Sequence, residues 1–361
     1  MSLSTPSKKG AIVMIGIILP SRIFKNTISK KPDSIVQFYK DHAQKNKVDI
    51  CFYSMKSISQ INKTVKAMVY SHENDELLRR ETAIPKVNLY RSTSFLKGEG
   101  LIRKIEYLTK NHDIIFFNVI KNKDRSKYKI HEYLASIDEI TSLLPETGTL
   151  SFLKMVGMID RFNKIYIKPK RSCKGNNIYV LEKTNTGYTM THILKTKETI
   201  KKIPKNELYT YYSSTFSSPK RFIVQQGVES KEYKGKKFDF RVSPQKTKSG
   251  AWKVIGMYAR VADKCLNVTN RDQGGLLKFR LTPLIHQKKK EEIKRSCIKI
   301  AKALELKYPQ VIDLGLDIAI DKQEKIWLLE ANFKPYRGRI DSKHHRVPFE
   351  HVVWYYKRKK L

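Results

Sequence analysis

Cysteine is scarce and poorly spaced for chemistry. The four that occur, Cys51, Cys173, Cys265 and Cys297, form no CxxC pair, and none stands beside a histidine at zinc spacing. That excludes a disulfide scaffold and a zinc module, and it leaves free thiols in a reducing cytosol as the expectation. The nine histidines make no HExxH arrangement, and His344 and His345 are expected on a solvated or substrate-facing surface. No apolar run is long enough to span a bilayer. Ala11–Leu19 comes nearest, lacks the cleavage site that follows a signal segment, and reads as a buried strand. There is no repeat of fixed period and no low-complexity tract. Acidic residues are in short supply, 34 against 72 Lys and Arg, which leaves a net charge of +38.

That charge attracts polyanions. The basic residues are spread through every element, however, with only short runs at Lys288–Lys290 and Lys357–Lys360, and no RRM, zinc-finger or KH signature accompanies them. Solvated lysine faces are the expectation, with nucleic acid bound only nonspecifically. The hydrophobic share of 40% suits a globular core, and 361 residues exceed what one core usually holds.

The apolar pattern orders the chain. Ala11–Leu19, Ile50–Tyr53, Val65–Tyr70, Val87–Tyr90 and Ile114–Asn118 read as strands. Pro32–Asn46 and Gly100–Lys110 read as amphipathic helices, the first with Ile35, Val36, Tyr39 and Ala43 on one face. Strands alternating with helices predict an α/β domain. Helices follow at Tyr128–Ser136 and Leu150–Phe162, then strands at Lys164–Lys168, Asn177–Glu182 and Tyr188–Leu194. Asn206–Phe216 reads as a helix, and Arg221–Gln226, Lys237–Ser243 and Trp252–Ala262 as strands. A helix at Gln287–Leu306, a strand pair between Val311 and Ala331, and a helix after Val347 complete the chain.

The strand pair is the most informative segment. Folded as a hairpin centred between Gln323 and Glu324, it sets Ile318 against Leu329 and Ile320 against Trp327 on one apolar face. The same register sets Asp317 against Glu330, with Asn332 two residues on. Opposed carboxylates repel, so a positive charge belongs between them. Two carboxylates and an amide oxygen suit Mg²⁺, while lysines of the chain offer the alternative.

Other motifs are weaker alone. Lys168 ends a strand before Pro169-Lys170-Arg171-Ser172-Cys173-Lys174-Gly175-Asn176-Asn177, a loop able to cradle phosphate or serve as a plain turn. Phe222–Gly227 is either a hinge that reads an adenine edge or a core strand. Arg241 and Arg260 sit on adjacent strands, aimed at phosphate or paired with Asp239 and Asp263.

Together the motifs resemble the ATP-grasp superfamily, and within it the YheC/YheD-like endospore coat-associated family. That family's pattern runs KPxxGSxGxGI, QQG, DFR, TNxxxGG and GxDxxxD…WxxExN with a terminal KP. Here it meets Lys168-Pro169, Gly175 and Ile178, then Gln225-Gln226-Gly227, Asp239-Phe240-Arg241 and Arg260. It continues through Thr269-Asn270, Gly274-Gly275, Asp317, Asp321, Trp327, Glu330, Asn332, Lys334 and Pro335. Leu144-Pro145-Glu146-Thr147 and Phe117-Asn118 also resemble the group. Ser172-Cys173 and Asn177 depart from the glycines of the phosphate loop, which bears on rate more than on fold.

The resemblance implies an α/β (α+β) ATP-grasp fold: a flexible N-terminus over residues 1–10, an N-terminal α/β domain over 11–120, a central lobe over 121–226 and a C-terminal lobe over 227–361. It implies ATP and Mg²⁺ as cofactors and a carboxylate and an amine as substrates. ATP would be held by Lys127, Lys168, Ser172, Cys173, Lys174, Gly175, Gln225, Gln226, Gly227 and Val228. Arg241 and Arg260 would steady the transferring phosphoryl group, Asp317, Glu330 and Asn332 would hold the metal, and Asn270, Lys334 and Arg337 would meet substrate. It further implies a cytoplasmic protein tied to sporulation and the spore coat, either a ligase or a non-catalytic coat component that binds acidic polymer or nucleotide.

Overall fold

The computed structural model describes residues 14–29, 33–91, 99–120, 126–170, 177–194, 197–262, 276–278, 281–282, 284–333, 335 and 343–359. The first sheet gathers β1 (Met14–Ile18), β2 (Asp49–Tyr53), β3 (Ile58–Ser59), β4 (Thr64–Ser71), β5 (Glu76–Ala83), β6 (Val87–Tyr90) and β7 (Ile115–Phe117) in the order β3-β4-β2-β1-β6-β7, with β5 on β4. Strands β2, β1, β6 and β7 are parallel, and accordingly β1, β2 and β6 are buried almost throughout on both faces. Helices α1 (Ser21–Ile28), α2 (Ser34–Asn46) and α3 (Glu99–His112) accompany them. Asp33 caps α2 by accepting from the Ile35 N–H at 3.1 Å, and Val36, Tyr39 and Ala43 are fully buried, as their spacing predicts.

The second sheet is antiparallel throughout. It holds β8 (Thr147–Thr149), β9 (Lys164–Pro169), β10 (Ile178–Lys183), β11 (Gly187–Leu194), β12 (Lys197–Pro204) and β13 (Phe222–Gln226), in the order β12-β11-β10-β9-β13-β8. Helices α4 (Lys127–Ala135) and α5 (Asp138–Thr141) precede it; α6 (Phe152–Phe162) and α7 (Leu208–Thr215) pack on it. Ser151 caps α6 by accepting from Lys154 N–H, and Asn163 ends it in the left-handed region with φ 56°.

The third sheet holds β14 (Glu232–Tyr233), β15 (Lys236–Lys246), β16 (Trp252–Val261), β17 (Leu276–Lys278), β18 (Gly315–Ile320) and β19 (Ile326–Asn332), in the order β17-β16-β15-β18-β19, with β14 on β15. Helix α8 (Gln287–Lys307) covers one face, and α9 (Lys343–Lys359) closes the chain.

Three main cores result, and they do not follow chain order throughout. Ile312 and the α9 residues Phe349, Val352, Val353 and Tyr356 join the core of the first sheet. Ile120, Ile130, Leu134, Ile140 and Leu144 join the core of the third. The core of the second sheet runs from Leu150 to Val224. Pro348 lies inside α9, so the His344 carbonyl four residues earlier loses its helical donor. Gln245 Nε2 donates to that carbonyl instead, at 3.0 Å.

Three expectations need correction. His344 is buried against Gly256 rather than on a solvated surface, because α9 turns that side inward. His345 is half-buried and its Nδ1 faces Arg91 Nη2 at 2.8 Å. The hairpin register holds only at its open end. Asp317 pairs with Glu330, but a β-bulge follows, so Ile318 pairs with Leu328, Ala319 with Trp327 and Ile320 with Ile326. The bulge adds one residue to β19 and reverses its side-chain parity. Ile326 and Leu328 therefore enter the core with Ile318 and Ile320. Trp327 turns to the other face and donates from Nε1 to Asp321 Oδ2 at 2.8 Å.

Candidate nucleotide and metal site

The charged residues of the motifs converge on one face of the third sheet. Cross-strand pairing sets Tyr258, Arg241, Asp317 and Glu330 in one row across β16, β15, β18 and β19. Arg260 lies opposite Asp239, and Asn332 opposite Gly315. Residues directly opposite share a face, so the row forms a charged strip while alternate residues, such as Phe240 and Ile318, fill the core.

Positive charge does lie beside the opposed carboxylates, and the chain itself supplies it. Arg241 donates from Nε to Asp317 Oδ1 at 2.5 Å and from Nη2 to Oδ2 at 3.2 Å. Arg260 Nη2 stands 3.2 Å from Asp317 Oδ2, and its Nε and Nη2 each reach Asp239 at 2.6 Å. Lys127 Nζ lies 3.2 Å from Glu330 Oε2. Burial opposes ionisation of Asp317, yet Arg241 and Arg260 outweigh it and hold the carboxyl below the usual range. Burial likewise opposes the charge on Arg260, and Asp239 with Asp317 overcomes it. Gly315 makes room for this arrangement: a Cβ there would stand 2.7 Å from Pro335 Cβ and 3.1 Å from Arg241 Nη1.

Across from the strip, the second sheet presents Tyr166, Lys168 and Gln225. Lys168 Nζ donates to Gln225 Oε1 at 2.7 Å and lies 5.0 Å from the centre of the Tyr166 ring. Gln225 Nε2 in turn donates to Thr147 Oγ1 at 3.0 Å. Burial and then the Lys127 charge push the Lys168 ammonium down to about 8, against the pull of Glu330 and Asp317. Between the sheets runs a cleft of about 510 Å³, open mouth included. Lys127, Thr147, Lys168, Gln225 and Glu330 line its polar part; Ile130, Leu134, Ile223 and Leu328 its apolar wall. A mostly apolar slot with a few convergent charges is the usual form of a small-molecule site.

Gln226 and Gly227 use their backbone donors internally: Gln226 N–H to Glu146 O and Gly227 N–H to Lys164 O, both at 2.8 Å. A Cβ at Gly227 would stand 2.6 Å from that Lys164 oxygen, so the strand can leave the sheet there only as glycine. Val228 follows directly, where the chain passes to the third sheet. Asn177, at a glycine position of the motif, adopts φ 59°, a region that asparagine tolerates.

Several expected residues lie outside the described residues: Ser172, Cys173, Lys174, Gly175, Asn270, Lys334 and Arg337, with Cys265 and Asp263. Cys51 and Cys297 are buried free thiols. Asp321, part of the hairpin motif, is structural: its Oδ1 accepts from the Gln323 and Lys325 N–H groups and shapes the turn. The pairing of Arg260 with Asp239, one of the two alternatives the sequence offered, is present, whereas reading the sequence missed Tyr166 and Thr147. The alternation of Tyr166 with Lys168, and Thr147 in the Leu-Pro-Glu-Thr segment, were the available signals.

Among the described residues no three His, Cys, Asp or Glu side chains converge as a metal group. Asp317, Glu330 and Asn332 nevertheless share one face across paired strands, with directly opposed residues about 5 Å apart. Two carboxylates and one amide oxygen fit a hard Mg²⁺ that keeps its remaining positions for water and phosphate oxygens. Among the described residues no helix is long and apolar enough to cross a membrane.

Comparison with known proteins agrees with this geometry. A family model described as YheC/D-like ATP-grasp matches residues 116–356. The endospore coat-associated protein YheD of Bacillus subtilis is 26% identical over 249 residues, which is 63% of this chain and 54% of YheD, so the chain spans about half of that relative. The D-alanine-D-alanine ligase from Coxiella burnetii shares the fold with a TM-score of 0.53 at 10% identity, over 97% of this chain and 96% of the ligase. The ATP-grasp ligase PsnB, complexed with a minimal precursor, Mg and ADP, gives a TM-score of 0.53 at 10% identity, over 96% of this chain and 98% of PsnB. With a matched span that takes in the second and third sheets and every charged residue of the cleft, the chain belongs to the YheC/YheD-like family of ATP-grasp proteins.

Proposed function

We propose that this chain binds Mg-ATP in the cleft and activates a carboxylate for ligation to an amine. The observation that carries the reading is the meeting of two charged sets at one slot: Glu330 on the third sheet, in one row with Asp317 and Arg241, and Lys168 with Gln225 on the second, with Lys127 between them. Lys127 and Lys168 take the phosphates, with the loop 172–175. The segment Gln225–Val228 lies along the adenine. Arg241 and Arg260 neutralise charge on the transferring phosphoryl group. Asp317, Glu330 and Asn332 would hold Mg²⁺, which would supply positive charge to the phosphates.

The chemistry follows from positioning. A substrate carboxylate oxygen attacks the γ-phosphorus, and the bond from that phosphorus to the ADP oxygen breaks. The amine nitrogen then attacks the acyl carbon, inorganic phosphate leaves, and the nitrogen loses a proton. No side-chain nucleophile is needed. Asn270, Lys334 and Arg337 are assigned to the substrate, whose carboxylate and amine are defined by class only. We associate the protein with sporulation and the spore coat, as its relative is described as endospore coat-associated, and place its ligase activity in the cytoplasm, where ATP is supplied.

One observation favours a second reading, a coat component without turnover. Asp317 is already satisfied by two guanidinium groups, a network that needs no metal to be stable. Thermal melting separates the two. Mg-ATP at a hundredfold excess over its dissociation constant adds about 2.7 kcal/mol of stability if it binds. No shift up to millimolar nucleotide counts against the ligase. ADP release screened against amino acids, peptides and cell-wall fragments then finds the substrate.

A further inference from the structure

Two surface strands of eight residues invite comparison. β5 hangs on β4, and β12 ends its sheet, pairing among the described residues only with β11. Both are exposed along most of their length. Neither shows a strand pattern in sequence, since each exists by pairing with a neighbour across a hairpin. Their charges differ. β5 is balanced, with Glu76 and Glu81 against Arg79 and Arg80. β12 sets Lys197, Lys201 and Lys202 against Glu198 alone, and Lys205 follows at once.

The outer edge of β12 presents alternate backbone N–H and C=O groups. By its pairing, Lys202 lies opposite Thr189 and Ile200 opposite Thr191 on one face, while Lys201 lies opposite Met190 on the other, its ammonium 4.9 Å from the Tyr211 ring centre. Ile200 is 68% exposed and Leu194, at the end of β11, is 49% exposed. The edge therefore combines backbone that meets no further strand among the described residues, lysine on both faces and an exposed apolar side chain, Ile200, beside Lys202.

We propose that β12 is a docking strand for an extended acidic segment of another polypeptide, added to the sheet as a further strand. The exposed edge favours a polypeptide over a phosphate polymer, because only a peptide returns N–H and C=O groups in step with it. Lys197 and Lys201 select acidic side chains on one face, and Ile200 selects an apolar residue on the other. Eight residues span about 27 Å at ~3.4 Å each, the length of a stable added strand. The site lies outside the nucleotide cleft residues, and the inference is independent of the ligase reading.

The test uses the full chain without nucleotide and a labelled octapeptide of alternating Glu and Val, followed by fluorescence anisotropy. Saturable binding is expected, and K201E/K202E weakens it on the order of tenfold or more, with K201Q/K202Q intermediate. R79E/R80E on β5 leaves it unchanged. N-methylation of one set of alternate amides weakens binding on the order of tenfold, and of the other set does not, because only one set faces β12. Equal binding of both methylated peptides, displacement by single-stranded DNA or polyphosphate of equal charge, or no binding at all would overturn the proposal. In those cases the lysines only keep an open edge from self-pairing.

Discussion

Lys168 gives the cleft a pH signature. Its ammonium is held down to about 8 by burial and by Lys127. Lowering it from the ordinary 10.5 corresponds to about 3 kcal/mol against the charged form. The sign follows from linkage. The folded chain binds fewer protons than the unfolded one between pH 8 and the unfolded value, so this cost is present below pH 8 and is relieved as pH rises above it. Nucleotide phosphate beside the ammonium restores it to the ordinary range. Affinity for Mg-ATP is then full below pH 8 and falls above it. For a group titrating at about 8 when free and above about 10 when bound, the dissociation constant rises about tenfold between pH 7 and pH 9. Isothermal titration of Mg-ATP at the two pH values reads this directly. K168R stays charged at both and flattens the dependence; K168M is weak at both. A wild-type dissociation constant equal at pH 7 and pH 9 would refute the placement of Lys168 against the phosphates.

The other predictions probe the strip and the hinge. E330Q lowers ATP turnover by orders of magnitude. It changes the melting temperature little, because Glu330 and Lys127 are a partly exposed pair; unchanged turnover removes Glu330 from the site. D317N leaves a buried guanidinium, Arg260, and a half-buried one, Arg241, without their shared carboxylate, and chemical denaturation should show a loss of about 3–5 kcal/mol. A loss under about 1 kcal/mol would mean that Asp239 alone balances Arg260 and that Arg241 finds solvent. G227A forces a Cβ against the Lys164 carbonyl and shifts the passage between sheets. It should cost about 1–3 kcal/mol on melting and weaken Mg-ATP binding as well; wild-type affinity would detach the hinge from the nucleotide.

Much of the molecule was legible from periodicity alone. Most of the parallel strands of the first sheet are near-continuous apolar runs, interrupted by Asn88 in β6, and α2 buries the residues its spacing marked. The facing of Asp317 and Glu330 followed from the hairpin pattern. β5 and β12 were not legible, because their side chains are solvated on both faces and carry no alternation. Nor was the bulge before Ile318, which lets Ile326 and Leu328 reach the core while Glu330 stays with Asp317.

Local chemistry in the sequence thus determined most of the kinds of elements and the family, since these depend on neighbours a few residues apart. The partners of those charges were decided only by tertiary structure. Arg241 meets Asp317 across 76 residues because β15 lies beside β18. Lys168 meets Gln225 across 57 because β9 lies beside β13. Whether Asp317 stands bare for a metal or clasped by two arginines is a matter of sheet order, and sheet order is set by which apolar faces can be buried together.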